Sequence, residues 1–257
     1  VFLWSWCAGS SRLTSTMASL PHLKMVLFPV DLRYGWDIRL VAHQEALSYV
    51  DKIMQPFVTT FEPRCKYWSR AGTRRPQEDT DRLRAAEMPQ LKYMAVHSVA
   101  VADRGRHGIF ENPKSSAIWT SSPLTSLLQH RKYGQNNQVT CMCAFSAEKP
   151  GRRSKKETRL LSSFPLTHVV KSCKRAEPHL ILRGYDQEQH TIRTAAAALY
   201  SRKFCASICH DTVESLKSSN TTLDIRAQFS NYPTNDDDED ADDDGEPDGE
   251  NDDKSLF

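Results

Sequence analysis

"HLKMVLFPV" (residues 22–30) and "WDIRLVAHQEALSYVDKIMQPFV" (residues 36–58) follow one another with five residues between them, and the hydrophobic period changes from one to the other. The first is rich in β-formers and carries Pro29, which cannot donate to a ladder, so it reads as an edge strand or one that stops early. In the second, Ile38, Val41, Leu47, Val50 and Met54 fall on one helical face. Asp37 is placed to cap the first turn and Pro56 to end the helix. His43, inside this helix, reads as a surface or boundary residue.

The carboxyl-terminal third extends the pattern. "QVTCMCAFS" (138–146) alternates Val139, Cys141, Cys143 and Phe145 as a half-buried strand, and "PHLILRGY" (178–185) reads as a short apolar strand. Asp186 is placed to cap a helix with an inner face of Ile192, Ala195, Ala196 and Leu199, running to about Lys203, with a continuation to Leu216 left open. "TTLDIRAQFS" (221–230) alternates Leu223, Ile225, Ala227 and Phe229 with polar residues. Strand, helix and strand in succession, beside other strands, predict an α+β fold: a mixed or antiparallel sheet with two main helices packed on one face, followed by a disordered acidic tail.

The rest is less patterned. Residues 59–90 lose periodicity and gain charge, and read as a basic aromatic linker with room for a short helix at 78–87. "LKYMAVHSVAVAD" (91–103) reads as a strand turning at "DRGRHG", while residues 104–137 cannot be ordered by pattern. "LLSSFPLTHVVKSC" (160–173) fits a Pro-broken helix or a strand. Met17 is a plausible start, which makes 1–16 an upstream or disordered segment, although its short apolar run also fits the end of a secretory signal. The expected organisation is 1–16 upstream, 17–58 a strand–helix unit, 59–90 the linker, 91–233 an α+β core and 234–257 the tail. No run approaches the ~18 apolar residues of a membrane span, so no membrane partner is expected.

Charge is the informative quantity. Residues 235–257 hold 13 Asp or Glu against one Lys, so the remaining chain carries 33 basic and 19 acidic groups. A formal charge of +2 thus conceals a body of +14 and a tail of −12. "RCKYWSRAGTRR" places Arg64, Lys66, Arg70, Arg74 and Arg75 around Tyr67 and Trp68, a mixture suited to phosphate contacts and base stacking. "RRSKKETR" adds Arg152, Arg153, Lys155 and Lys156 and also suits nuclear import. These residues are the expected nucleic-acid contacts, with the RNA or DNA phosphate backbone as partner. The acidic run competes for the same cations as an internal mimic of nucleic acid. The expected function is a non-catalytic nucleic-acid- or ribonucleoprotein-associated subunit with an autoinhibitory tail, in nucleus or cytoplasm with the nucleus preferred. The alternative is a protein–protein adaptor or chaperone whose tail holds basic clients such as histones.

Catalytic signatures are sparse. Walker, Rossmann, Gly-x-Ser-x-Gly and His-Glu-x-x-His motifs do not occur. "YDQEQH" groups Asp186, Glu188 and His190, which reads as a helix first turn. Seven scattered cysteines suggest a reducing compartment. Cys141-x-Cys143 and Cys205-x₃-Cys209, followed by His210, raise a zinc reading, yet neither has knuckle spacing, and all four are expected to be structural thiols. No metal or cofactor is expected, and whether the protein is an enzyme is left open, the balance leaning against it.

Overall fold

A computed structural model describes residues 2–20, 26–69, 75–146, 154–174, 179–182, 184–186, 190–192 and 199–218. Its centre is a five-stranded mixed sheet of β1 (Leu3–Trp6), β2 (Val58–Phe61), β3 (His107–Pro113), β4 (Asn137–Cys141) and β5 (Glu157–Ser162), in the order β1-β2-β3-β5-β4. β1, β2 and β3 run parallel, whereas β5 is antiparallel to both β3 and β4. Beyond β1, Val26 and Val30 make parallel bridges to Leu3 and Trp6, so this segment is the edge that its proline predicts.

Around the sheet lie α1 (Arg12–Ala18), α2 (Val41–Met54), α3 (Gln77–Asp103), α4 (Ser122–Gln129), α5 (Arg131–Gln135) and α6 (Arg202–Ser218). Alternation along the strands divides the apolar residues between two cores. Leu3, Val58, Ile109 and Leu160 face α1 and α6, and meet Leu13, Met17, Phe204, Ile208 and Val213. Trp4, Trp6, Phe61, Phe110 and Leu161 face the other way, towards Leu47, Leu91, Met94 and Leu124 of α2, α3 and α4. Helices therefore cover both faces of the α+β sheet, not one. The reason is visible in β1, "LWSW", where both alternating sets include apolar residues and all four are buried.

That strand also corrects the reading of 1–16 as lying outside the fold, because Leu3–Trp6 pairs in register with Val58–Phe61. A larger correction concerns 77–103, which is one 27-residue helix where a linker with room for a short helix at 78–87, and from 91 a strand, were expected. Buried Leu91, Met94, Ala95, Ser98, Val101 and Ala102 follow helical spacing, while Val96 is exposed. Val and Ala enrichment resembled a strand, but the period is helical and tertiary packing overrides the weak propensity. Pro89 lies inside this helix.

Elsewhere the expected strand 138–146 stops at Cys141 and turns into a 3₁₀ helix over Met142–Phe145. Ala195 and Ala196 of the helix expected after Asp186 lie outside the described residues. Asp186 itself is not at a helix start. It belongs to β6 (Tyr185–Asp186), which pairs with β7 (Thr191–Ile192) as a small hairpin. Ile181 is exposed, so the apolar run near 180 is not a buried strand there. α2 appears within the predicted span but starts at Val41 with Leu40 at its N-cap, so Asp37 does not cap it, and α6 extends past Leu216. The strand expected at 221–230 and the acidic tail lie outside the described residues.

An ionic cluster joins α2, α3 and the entry to β3. Both Asp51 oxygens accept from the Arg106 guanidinium, at 2.7 and 2.6 Å, and His97 Nε2 lies 3.5 Å away. Burial opposes ionisation of Asp51, yet His97 and Arg106 outweigh it and hold the carboxyl well below the usual range.

Candidate functional site

The carboxyl ends of β1, β2 and β3 open on one side of the molecule, together with the end of β4 and the start of β5. From β1 the chain passes outwards through α1 to the 26–30 edge and then back through α2 to β2 on β1's other side. Such a reversal leaves a crevice at the strand ends, where ligands bind in open parallel sheets. After β1, Cys7, Gly9 and Ser11 have positive φ, so this turn holds two non-glycine residues in the left-handed region. The Asp31 carboxylate fixes the turn by accepting from the Gly9 N–H at 3.1 Å.

On the α1/α6 face each strand changes chemistry as it approaches this end. Leu3 gives way to Ser5, Val58 to Thr60 and Glu62, Ile109 to Glu111, and, in the antiparallel strand, Leu160 to Thr158. The apolar floor thus becomes a polar row. The Ser5 and Thr60 hydroxyls pair at 2.8 Å, and Thr60 donates to Glu62 at 3.2 Å. Glu111 accepts from the Thr158 hydroxyl and, at 2.6 Å, from Tyr200 just before α6. Asn112 donates through Nδ2 to the Pro63 carbonyl at 2.6 Å, while its buried Oδ1 has no hydrogen-bond partner among the described residues.

The electrostatics follow from this crowding of acids. Burial first, then repulsion from Glu111, pushes the Glu62 carboxyl up to about 8, against hydrogen bonds from Thr60 and Tyr200. Glu62 is therefore mainly protonated at neutral pH and can donate as well as accept. Burial, followed by Glu111 and Glu62, raises the Tyr200 phenol well above its ordinary value. Cys65 borders the row. Its thiol is pushed up by burial, and the Lys156 charge acts in the opposite sense.

The expected basic contacts fall at the rim of this end. Arg64 and Lys66 are exposed, Lys155 is exposed and half-buried Lys156 lies 5.9 Å from the Tyr200 ring. Asn112 brings the two segments together, binding Pro63 through its side chain while its carbonyl accepts from Thr158 at 3.1 Å. Tyr67 is half-buried, with Arg75 and Lys66 over its ring at 5.3 and 6.0 Å. Trp68 is not a stacking platform. It is 6% exposed, donates to Glu87 at 2.6 Å, and has Arg84 over its ring. Arg70, Arg74, Arg152 and Arg153 lie outside the described residues.

Sequence reading missed Glu62, Glu111 and Tyr200. The available signal was the succession of Thr and Glu after Val in "VTTFE", and of Glu after Ile in "IFEN", on what prove to be inner strands. The soft donors Cys141, Cys143, Cys173 and His179 form a separate cluster beyond the end of β4. No protein-family model and no curated protein matches this chain.

Proposed function

We propose that this protein associates with nucleic acid through the carboxyl end of its sheet, the basic rim contacting phosphates. The observation that carries the reading is the approach of two basic segments about ninety residues apart, 64–66 and 155–156, on either side of Asn112. Cations gathered at one edge contribute a field that isolated surface charges do not. The test is binding of a labelled oligonucleotide by the full chain, with Arg64, Lys66, Lys155 and Lys156 replaced together by Gln. Affinity is expected to fall steeply with salt, and the variant to bind at least tenfold more weakly with a shallower salt slope. Binding that is flat between low and physiological salt, or unchanged in the variant, removes the proposal.

A second reading rests on the polar row. Glu62 as proton donor, Glu111 as acceptor and the Cys65 thiol nearby make a set suited to acid–base work on a small polar ligand. Titration with mononucleosides separates the readings. Saturable binding that Glu62→Ala abolishes, with oligonucleotide binding retained, favours the second.

A further inference from the structure

Cys141 ends β4, and Cys143 lies two residues on in the 3₁₀ turn that follows, so the turn folds both thiols to one side. Their sulfurs are 3.0 Å apart. Cys173 and His179 come from the segment after β5, and His179 Nε2 lies 3.2 Å from Cys173 Sγ and 3.3 Å from Cys143 Sγ. Cys141, Cys143 and Cys173 have their sulfurs within 4.8 Å of one another. The approach of the strand and the returning segment is well fixed. The Cys141 N–H donates to the Lys171 carbonyl at 2.8 Å, the Thr140 hydroxyl donates to the Val169 carbonyl at 2.6 Å, and the Lys171 N–H donates back to that hydroxyl at 3.0 Å. One turn earlier, the buried Asp211 carboxylate accepts from the N–H groups of Thr167, His168 and Val169 at 3.0, 2.8 and 2.9 Å.

We propose that Cys141, Cys143, Cys173 and His179 form a Cys₃His site for a structural zinc ion. Three thiols lie together and an imidazole touches two of them, which is the donor set and number of a closed tetrahedral zinc site. Carboxylate is absent from the set, which disfavours calcium, magnesium and manganese. Tetrahedral zinc, with bonds of about 2.3 Å to sulfur and 2.0–2.1 Å to nitrogen, separates its ligand atoms by roughly 3.5–3.8 Å. The three contacts of 3.0–3.3 Å are shorter than that range. The ion would push the Cys141 and Cys143 sulfurs apart by about 0.8 Å, and packing alone gives no reason for sulfurs to crowd closer than ordinary contact. Cys173 also lines an open cleft of about 540 Å³ with Val170, Lys171 and Lys174, which supplies a path for the ion.

The proposed site departs from the expectation that these cysteines are structural thiols without metal. Cys141 and Cys143 do not combine with Cys205 and Cys209, which are buried on α6 in the core shared with α1. Their partners lie about thirty residues downstream, in a spacing no knuckle pattern anticipates. Zinc there would staple residues 163–174 and His179 to the edge strand of the sheet.

The experiment is elemental analysis of the full chain, purified without chelator, followed by exchange into cobalt. One equivalent of zinc is expected, and the cobalt form should show the visible bands of a tetrahedral thiolate site. Cys173→Ser and His179→Ala should lose the ion, whereas Cys209→Ser should retain it. His179→Cys keeps four soft donors, so it should retain one equivalent while its sulfur-to-cobalt charge-transfer absorption increases. That variant guards against losses that merely reflect misfolding. Protein with neither zinc nor a cobalt spectrum overturns the site, as does a Cys141–Cys143 disulfide in the purified chain or full metal content in Cys173→Ser and His179→Ala.

Discussion

Glu62 follows the last residue of β2, and its chemistry depends on where the strand delivers it. An exposed Glu titrates near 4.3, whereas here burial and the Glu111 carboxylate raise the carboxyl to about 8. The folded state therefore holds a proton that the unfolded chain has released. Stability from this residue is fully present below about 4.5, and is lost as pH rises to about 8. Glu62→Gln keeps a neutral donor of the same shape, so its melting temperature should lose this decline. Relative to the parent, the variant should gain stability between pH 5 and 8.5, by an amount on the order of a few kcal/mol. Thermal denaturation of both proteins across that range decides it, and parallel curves would mean that Glu62 is ionised in the fold. A half-buried carboxylic acid of this kind was not legible in the sequence. Glu62 stays in line with Val58 and Thr60 on the inner face, whereas β2 has ended at Phe61 and Pro63 follows, so Arg64 is free of that alternation and exposed. Trp68 shows the opposite failure. Its basic neighbours suggested an exposed platform, but the ring is buried and held by Glu87.

At the scale of elements, legibility depended on whether one period governed the whole segment. α2 keeps one apolar face and was read from the sequence. α3 was anticipated only as a short helix at 78–87, because its first half is charged and holds no buried residue, Pro89 falls within it, and its buried stripe begins only at Leu91. β3 could not be ordered because "HGIFENP" mixes glycine, proline and acid in one strand, each for a local reason. Gly108 has such a reason. A Cβ there would collide with the Tyr133 hydroxyl of α5 and approach Ser98 Oγ of α3 to 2.9 Å. Those two side chains are buried and hydrogen-bonded to each other at 2.5 Å. Glycine thus allows α3 and α5 to meet directly over the sheet. Gly108→Ala should destabilise by about 1–3 kcal/mol, the usual cost of overpacking. Adding Tyr133→Phe removes the oxygen that the new methyl group meets, so the double variant should recover part of that loss. Urea denaturation of the four proteins measures the coupling, and strict additivity would show that the contact does not set the cost.

Over the whole molecule, two cores meet back to back across one sheet, and the polar chemistry gathers at a single end of it. The acid row, the basic rim and the thiol cluster all follow from strand direction, because three parallel strands, the end of β4 and the start of β5 terminate together. Against this basic end stands the composition of residues 235–257. Their deletion changes the formal charge from +2 to +14, so binding of the body to any polyanion should strengthen. At physiological salt the Debye length is about 8 Å, so on the proposed reading the acidic run competes only by reaching the rim itself. A competitor of this sort works through charge density, not through one fitted contact. Scrambling the order of residues 235–257 should therefore preserve its effect, and replacing the aspartates by Asn should remove it. Full-length, truncated, scrambled and Asn-substituted proteins are to be compared on one labelled oligonucleotide at low and physiological salt. The truncated and Asn forms are expected to bind more tightly, by a margin that shrinks as salt rises, since the same screening weakens both tail and phosphate contacts. If truncation leaves affinity unchanged at low salt, the acidic run is not an internal competitor. Its charge is then best explained by an external basic partner, and the adaptor reading, with histones or other basic proteins as clients, takes precedence.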